Sequence, residues 1–164
     1  MAYLLFMAKE IERKFKICGD FRPQVTESHR IRQGYIAHEN GRSVRVRITD
    51  KEAILTIKGP SDSKGMSRYE WNHLIPVDEA RELFELHQSG AIEKRRYLVH
   101  SGPHVFEVDE FHGENEGLVM AEVELSSESE SFIKPDFIGK EVTGDHRYYN
   151  AYLATNPYKT WKKD

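Results

Sequence analysis

Glu10-Ile11-Glu12-Arg13-Lys14-Phe15-Lys16-Ile17 alternates along its length. Glu10, Glu12 and Lys14 share one parity, and Ile11, Arg13, Phe15 and Ile17 share the other. A period of two is that of a β-strand, whose successive side chains point to opposite faces. The segment predicts a strand with one charged face and one largely apolar face.

Working outward, the same pattern recurs at residues 32–36, 43–48, 53–58, 68–75, 93–99, 105–111 and 120–125, separated by Gly, Pro, Asn and Asp. Eight short alternating segments with turn signals between them predict antiparallel β structure. One clear helix is expected from Pro76 to about Gln88, where Ala80, Leu83, Phe84 and His87 form a stripe and Pro76 and Asp78 suit the first turn. Shorter helices are expected near residues 129–134 and 149–155. Residues 1–8 read as an N-terminal extension, 9–156 as one domain and 157–164 as a solvated tail.

Sorting every segment by parity gathers the charges. Arg45 and Arg47 share a face, as do Lys94 and Arg96, Glu107 and Asp109, and Glu122 and Glu124; Lys58 follows Ile54 and Thr56. The first strand and the last two carry clustered acids, and the middle strands carry clustered bases. A one-sided sheet with a solvated charged face would produce much of this pattern. Carboxylates repeated at i and i+2 repel unless a cation lies between them, which favours a hard divalent ion held by oxygen ligands. The paired bases suit an anion with many oxygens. The cluster holds seven acids (Glu10, Glu12, Glu70, Glu107, Asp109, Glu122, Glu124) and seven bases (Lys14, Arg32, Arg45, Arg47, Lys58, Lys94, Arg96). Such near-neutrality suits an enclosed site, and an eight-stranded barrel is wide enough for one small ligand.

The whole-chain properties are compatible with this. The 164 residues carry a net charge of −3 at neutral pH, so no global basic footprint favours nucleic acid. A single cysteine, Cys18, excludes an internal disulfide and fits a reducing compartment. The apolar start, residues 1–7, is too short to span a membrane and lacks the basic flank of a secretory signal, so the expected setting is cytoplasmic, without a membrane partner. Met7 precedes the patterned region directly and is the better candidate for the natural start. The eight histidines show no zinc-hydrolase spacing, and the 59–65 loop lacks the Gly-Lys-Ser/Thr ending of a P-loop.

Glu10-Ile11-Glu12-Arg13-Lys14 resembles the ExExK signature of the CYTH, or triphosphate tunnel metalloenzyme, superfamily. Ile31–Tyr35, Val44–Arg47, Leu55–Lys58, Glu93–Tyr97, Glu107–Asp109, Glu122–Glu124 and Val142–Asn150 resemble further family segments in family order. The closest likeness is to short bacterial members that act as inorganic triphosphatases.

The resemblance implies a mainly β fold: a closed eight-stranded antiparallel barrel with a few flanking helices and a charged interior. It implies metal ligands at Glu10, Glu12, Glu122 and Glu124, with Asp109 as a further candidate, holding Mg²⁺ or Mn²⁺, two ions per site. It implies phosphate-binding residues at Lys14, Arg45, Arg47, Lys58, Lys94 and Arg96, with Arg32 and Arg147 added as candidates. Lys94, Glu12 and Glu122 are the expected catalytic residues. The implied reaction is hydrolysis of a small linear triphosphate, tripolyphosphate to pyrophosphate and phosphate. Class IV adenylate cyclase, thiamine triphosphatase and a non-catalytic polyphosphate-binding module are the alternatives, and a homodimer is one possible assembly. Two departures stand out: Asn72 follows Glu70 where related members carry a second acid, and His146 stands where lysine is common. Phe15, Tyr35, Tyr69, Trp71 and Tyr97 are expected to pack away from the cavity.

Overall fold

A computed structural model describes residues 9–162. Met7 and the rest of the N-terminal extension lie outside the described residues.

The chain folds as β1 (Lys9–Ile17), β2 (Val25–Glu39), β3 (Arg42–Thr49), β4 (Ala53–Lys58), β5 (Ser67–Ile75), α1 (Val77–Phe84), β6 (Ile92–Ser101), β7 (His104–Phe111), β8 (Val119–Glu124), β9 (Ile138–Glu141) and α2 (Asn150–Thr155). The sheet order is β5-β4-β3-β2-β6-β7-β8-β1-β9, every pair antiparallel. A pairing of Lys9, Glu10 and Ile11 with Tyr69, Arg68 and Ser67 joins β1 to β5 and closes eight strands into a barrel. β9 is a ninth strand that the alternation missed: its four residues, Ile-Gly-Lys-Glu, show no alternating run. It flanks β1 at Phe15 and Ile17, where β5 has turned away.

Local sequence explains the joints. Asn40 and Gly41 connect β2 to β3 with φ of 50° and 76°. An Asn-Gly pair adopts that left-handed backbone at low cost and matches the twist of a hairpin. α1 ends four residues earlier than the stripe suggested; residues 85–87 continue it only as single turns, and Gln88 donates its N–H to Tyr35 on β2 instead. No helix forms at residues 129–134; that stretch runs irregularly and lays Phe132 against Phe15 and Phe106.

The apolar faces of the strands point out of the barrel, and other segments cover them. Phe15, Val99, Phe106, Val108 and Val123 meet Phe21 and Phe137 from the flanking loops. α1 lays Ala80 and Phe84 on Val46 and Ala53. Part of the barrel interior is apolar too: Ile92, Phe111 and Met120 pack with Tyr148, Leu153 and Ala154, so α2 lies across that end. Within the tail, Lys159, Thr160 and Lys162 are exposed, but Tyr158 and Trp161 pack on the barrel end. Trp161 packs edge-on against Tyr148 at 5.3 Å and donates its indole N–H to the Asn156 carbonyl at 3.1 Å, which ties residues 157–162 to the barrel end. Among the described residues no helix is long and apolar enough to cross a membrane.

Candidate active site

The inward faces of the strands enclose a cavity of about 820 Å³. The ladder register sets its lining, because residues directly opposite each other on an antiparallel pair share a face. Glu12 faces Glu124, and Lys14 faces Glu122, across β1 and β8. Lys58 faces Glu70 across β4 and β5, and Arg96 faces Asp109 across β6 and β7.

Glu10, Glu12, Lys14, Arg45, Arg47, Lys58, Lys94, Arg96, Glu122 and Glu124 all line this cavity. Three of the expected site residues do not. Arg32 lies on the outer face of β2, with its guanidinium 4.2 Å from the Phe84 ring centre and 3.8 Å from Glu93. Its β3 partner is the outward Ile48, whereas the inward partners of Arg45 and Arg47 are Tyr35 and Gln33. Tyr35 therefore lines the cavity, contrary to its expected outward packing. Arg147 is outside as well, held by Asp145 at 2.7 Å and packed near Trp161.

Asp109 is buried at 2 % exposure and is unsuited to hold a metal. It accepts from Lys94 Nζ at 2.6 Å, Arg96 Nε at 2.7 Å and Arg96 Nη2 at 2.8 Å. Burial pushes its carboxyl up, but Arg96 and Lys94 outweigh that and hold it down at about 2. Its position fixes two bases rather than presenting free oxygens.

The remaining charges are only partly matched. Glu10 pairs with Lys58 at 2.9 Å and Arg68 at 3.3 Å, Glu122 pairs with Lys14 at 2.9 Å, and Glu107 pairs with Arg96. Among the described residues, Glu12 and Glu124 have no cationic partner, and neither Arg45 nor Arg47 has a carboxylate partner. Arg45 Nε is buried with no acceptor at all. Titration follows the mismatch. Burial, then Glu122 and Glu10, push Glu12 up to about 8. Burial, then Arg45 and Arg96, push Arg47 down to about 9. One wall lacks a cation and the facing wall lacks an anion.

Alternation of charge did not single out several lining residues. Arg68 opens the 68–75 segment and shares the inward parity of Glu70, so the same sorting would have found it. Asn150 is a neutral amide, invisible to a charge pattern, as is Gln33, which is buried and off the lining. Asn72 donates to Glu70 Oε1 at 2.6 Å and accepts from Thr56 Oγ1 at 2.7 Å, so the substitution for an acid props Glu70 in place. His146 lies at the cavity edge with its ring against Tyr149 at 5.1 Å.

No three acidic or histidine side chains among the described residues form a ready metal cage. The donor chemistry nonetheless fits a hard divalent ion: Glu12 and Glu124 oppose each other without a partner, and directly opposed like charges are unfavourable unless a cation joins them.

A closed antiparallel barrel whose interior sets unpaired carboxylates against unpaired guanidiniums is a container for a polyanion together with its counter-cations. Comparison with known proteins places the chain within that class. The CYTH domain family matches residues 8–150, and the chain belongs to that family. It is 49% identical over 158 residues to an inorganic triphosphatase of Acetivibrio thermocellus, covering 96% of this chain and all of that protein. It is 35% identical over 152 residues to an inorganic triphosphatase of Nitrosomonas europaea, covering 88% of this chain and 96% of that one. A solved structure described as an inorganic triphosphatase superposes with a TM-score of 0.63 at 32% identity, over 88% of this chain and 93% of that chain.

Proposed function

We propose that this protein hydrolyses a small linear triphosphate, inorganic tripolyphosphate first among them, to pyrophosphate and orthophosphate. The observation that carries this is the double mismatch inside one cavity: Arg45 and Arg47 without an anion, and Glu12 and Glu124 without a cation. A metal-bound triphosphate supplies both at once. The names of the relatives support the same reading.

Glu10, Glu12, Glu122 and Glu124 would hold Mg²⁺ or Mn²⁺, two ions in this reading, which offset phosphate charge and lower the pKa of bound water. Lys14, Arg45, Arg47, Lys58 and Arg96 bind the phosphate oxygens and offset charge that develops as the bridging bond breaks. Lys94 has a different part. It lines the cavity with almost no exposed surface, and burial pushes its ammonium down to about 7, with Asp109 opposing and Arg96 and Arg47 reinforcing. An amine poised near neutrality suits a general base. A water oxygen bonds to the terminal phosphorus as the bridging P–O bond breaks. The bridging oxygen leaves on pyrophosphate with the electron pair, and one water proton passes to Lys94 Nζ and then to solvent.

The test is phosphate release from tripolyphosphate, ATP and thiamine triphosphate with Mg²⁺, Mn²⁺ or chelator. Contacts to phosphate dominate the cavity, so a nucleoside adds bulk without matching charge. Tripolyphosphate is expected to exceed ATP at least ~10-fold in kcat/KM, about 1.4 kcal/mol in transition-state binding. Chelator is expected to abolish turnover. Cyclic AMP as the main product from ATP, or tight binding without turnover of any triphosphate, overturns the proposal.

A further inference from the structure

Resting on that reading, we infer that Gln33 and Asn150 form a positioning relay that aims the free valence of Lys94 Nζ into the cavity.

The polarity of this relay is forced from one end. Arg47 can only donate, and its Nε–H reaches Gln33 Oε1 at 3.0 Å. Gln33 therefore presents its NH₂ on the other side, where Nε2 donates to Asn150 Oδ1 at 2.7 Å. Asn150 must show its oxygen at that spot, and the same oxygen accepts from Lys94 Nζ at 2.9 Å. Asp109 Oδ2 takes a second N–H of Lys94 at 2.6 Å. Two of the three valences of Nζ are thus tied to acceptors. The third faces the cavity, where the neutral amine carries its lone pair. An amide turned the other way at Gln33 or Asn150 would set N–H against N–H along the chain, so one arrangement satisfies all four groups.

Gln33 is completely buried and does not line the cavity. It cannot touch a bound triphosphate, and its influence on turnover must pass through Arg47 on one side or through Asn150 and Lys94 on the other. Asn150 arrives from far along the chain, at the start of α2, and spans from β2 to β6. In the chemical step the Lys94 lone pair takes the proton of the attacking water while the oxygen of that water bonds to phosphorus and the bridging oxygen departs with the P–O electron pair. The relay supplies no atoms to this step; it sets the direction of the lone pair.

Two variants test the relay through the split between kcat and KM for tripolyphosphate. Asn150→Ala removes one acceptor and frees Lys94 to rotate. Gln33→Glu keeps an acceptor for Arg47 but offers Asn150 a second oxygen in place of an N–H. Asn150 must then turn its NH₂ inward, which draws the Lys94 lone pair away from the cavity. Both variants are expected to lose at least ~10-fold in kcat, within the range a displaced general base costs, with KM changed less than ~3-fold in Asn150→Ala, whereas the new carboxylate of Gln33→Glu also engages Arg47 and raises KM. Thermal unfolding reports that each variant is folded, and Asn150, at the cavity wall where water can replace its side chain, keeps the test open if buried Gln33→Glu does not fold. A folded variant with kcat within ~2-fold of wild type, or with KM raised and kcat unchanged, overturns the inference. A wild-type protein that releases no phosphate refutes the triphosphatase reading itself, so the two failures are distinguishable.

Discussion

Asp109→Asn is the sharpest test of how the cavity wall is built. The carboxylate is 2 % exposed and accepts three N–H groups from Lys94 and Arg96 within 2.6 to 2.8 Å. The amide keeps the volume but removes the charge and turns one acceptor into a donor facing a cation. Breaking a buried ion pair from one side costs about 3–5 kcal/mol. The low end applies here, because Lys94 and Arg96 border a cavity into which they can relax. Glu107 also remains as a partner for Arg96. About 3 kcal/mol in a 164-residue domain corresponds to a fall of roughly 6–12 °C in Tm. Differential scanning calorimetry without metal or phosphate measures it. A polyanion offers the stranded bases new partners, so tripolyphosphate with chelator should raise the Tm of Asp109→Asn more than that of wild type. A loss under about 2 °C, or no preferential rescue, would refute the assignment of Asp109 as the charge that fixes these bases.

Glu12→Gln removes an unpartnered carboxylate, and kcat should fall on the order of 10²-fold with the fold intact, read by phosphate release and calorimetry; near-normal turnover with Mg²⁺ would remove Glu12 from the metal set. As the proposed base Lys94 would act as the free amine, and its pKa is lowered to about 7, so kcat should rise with pH through that value, and a flat profile between about pH 5.5 and 8.5 would exclude it as the base. Glu12 has its pKa raised from 4.5 to about 8, so its contribution to metal-free stability, full at low pH, is lost as pH rises through 8. Mg²⁺ reverses that loss, and the gain in Tm on adding Mg²⁺ should be larger at about pH 8 than at about pH 6, with Glu12→Gln abolishing the difference. Arg32→Ala and Arg147→Ala, both outside the cavity, should leave kcat/KM within ~3-fold of wild type, and a larger loss in steady-state assays would restore them to the site.

The barrel was legible wherever charge itself alternated. In β1, β3, β6, β7 and β8 a polar interior writes period two directly into the sequence, and most of the cavity lining follows from it. β2 was misread because its charged residue is the outward one. Arg32 rests on Phe84, while the inward positions hold the uncharged Gln33 and Tyr35. Gly34 carried the missing signal: a Cβ there would lie 2.8 Å from His87, so this parity of β2 faces the segment after α1 and must be the outside. β9 is too short to show a period, and its pairing depends on where β5 leaves β1. Asn150 reaches the cavity only through tertiary placement of α2, which no local pattern encodes.

The late arrival of Asn150 has a consequence for how the protein comes into being on the ribosome. β1 emerges first, yet its partners are β5, β8 and β9, and the register pairs Glu12 with Glu124. Until β8 has been made, β1 is an edge strand with an apolar face, exposed to wrong pairing and to chaperones. Its charged face, Glu10, Glu12 and Lys14, keeps that waiting strand from stacking on copies of itself. The proposed base, Lys94, likewise waits for residue 150 to supply one of its acceptors. A nascent chain halted after β8 would hold the glutamates and all the arginines and lysines that line the cavity but would lack the relay, so phosphate-binding ability should precede catalytic competence as the chain grows.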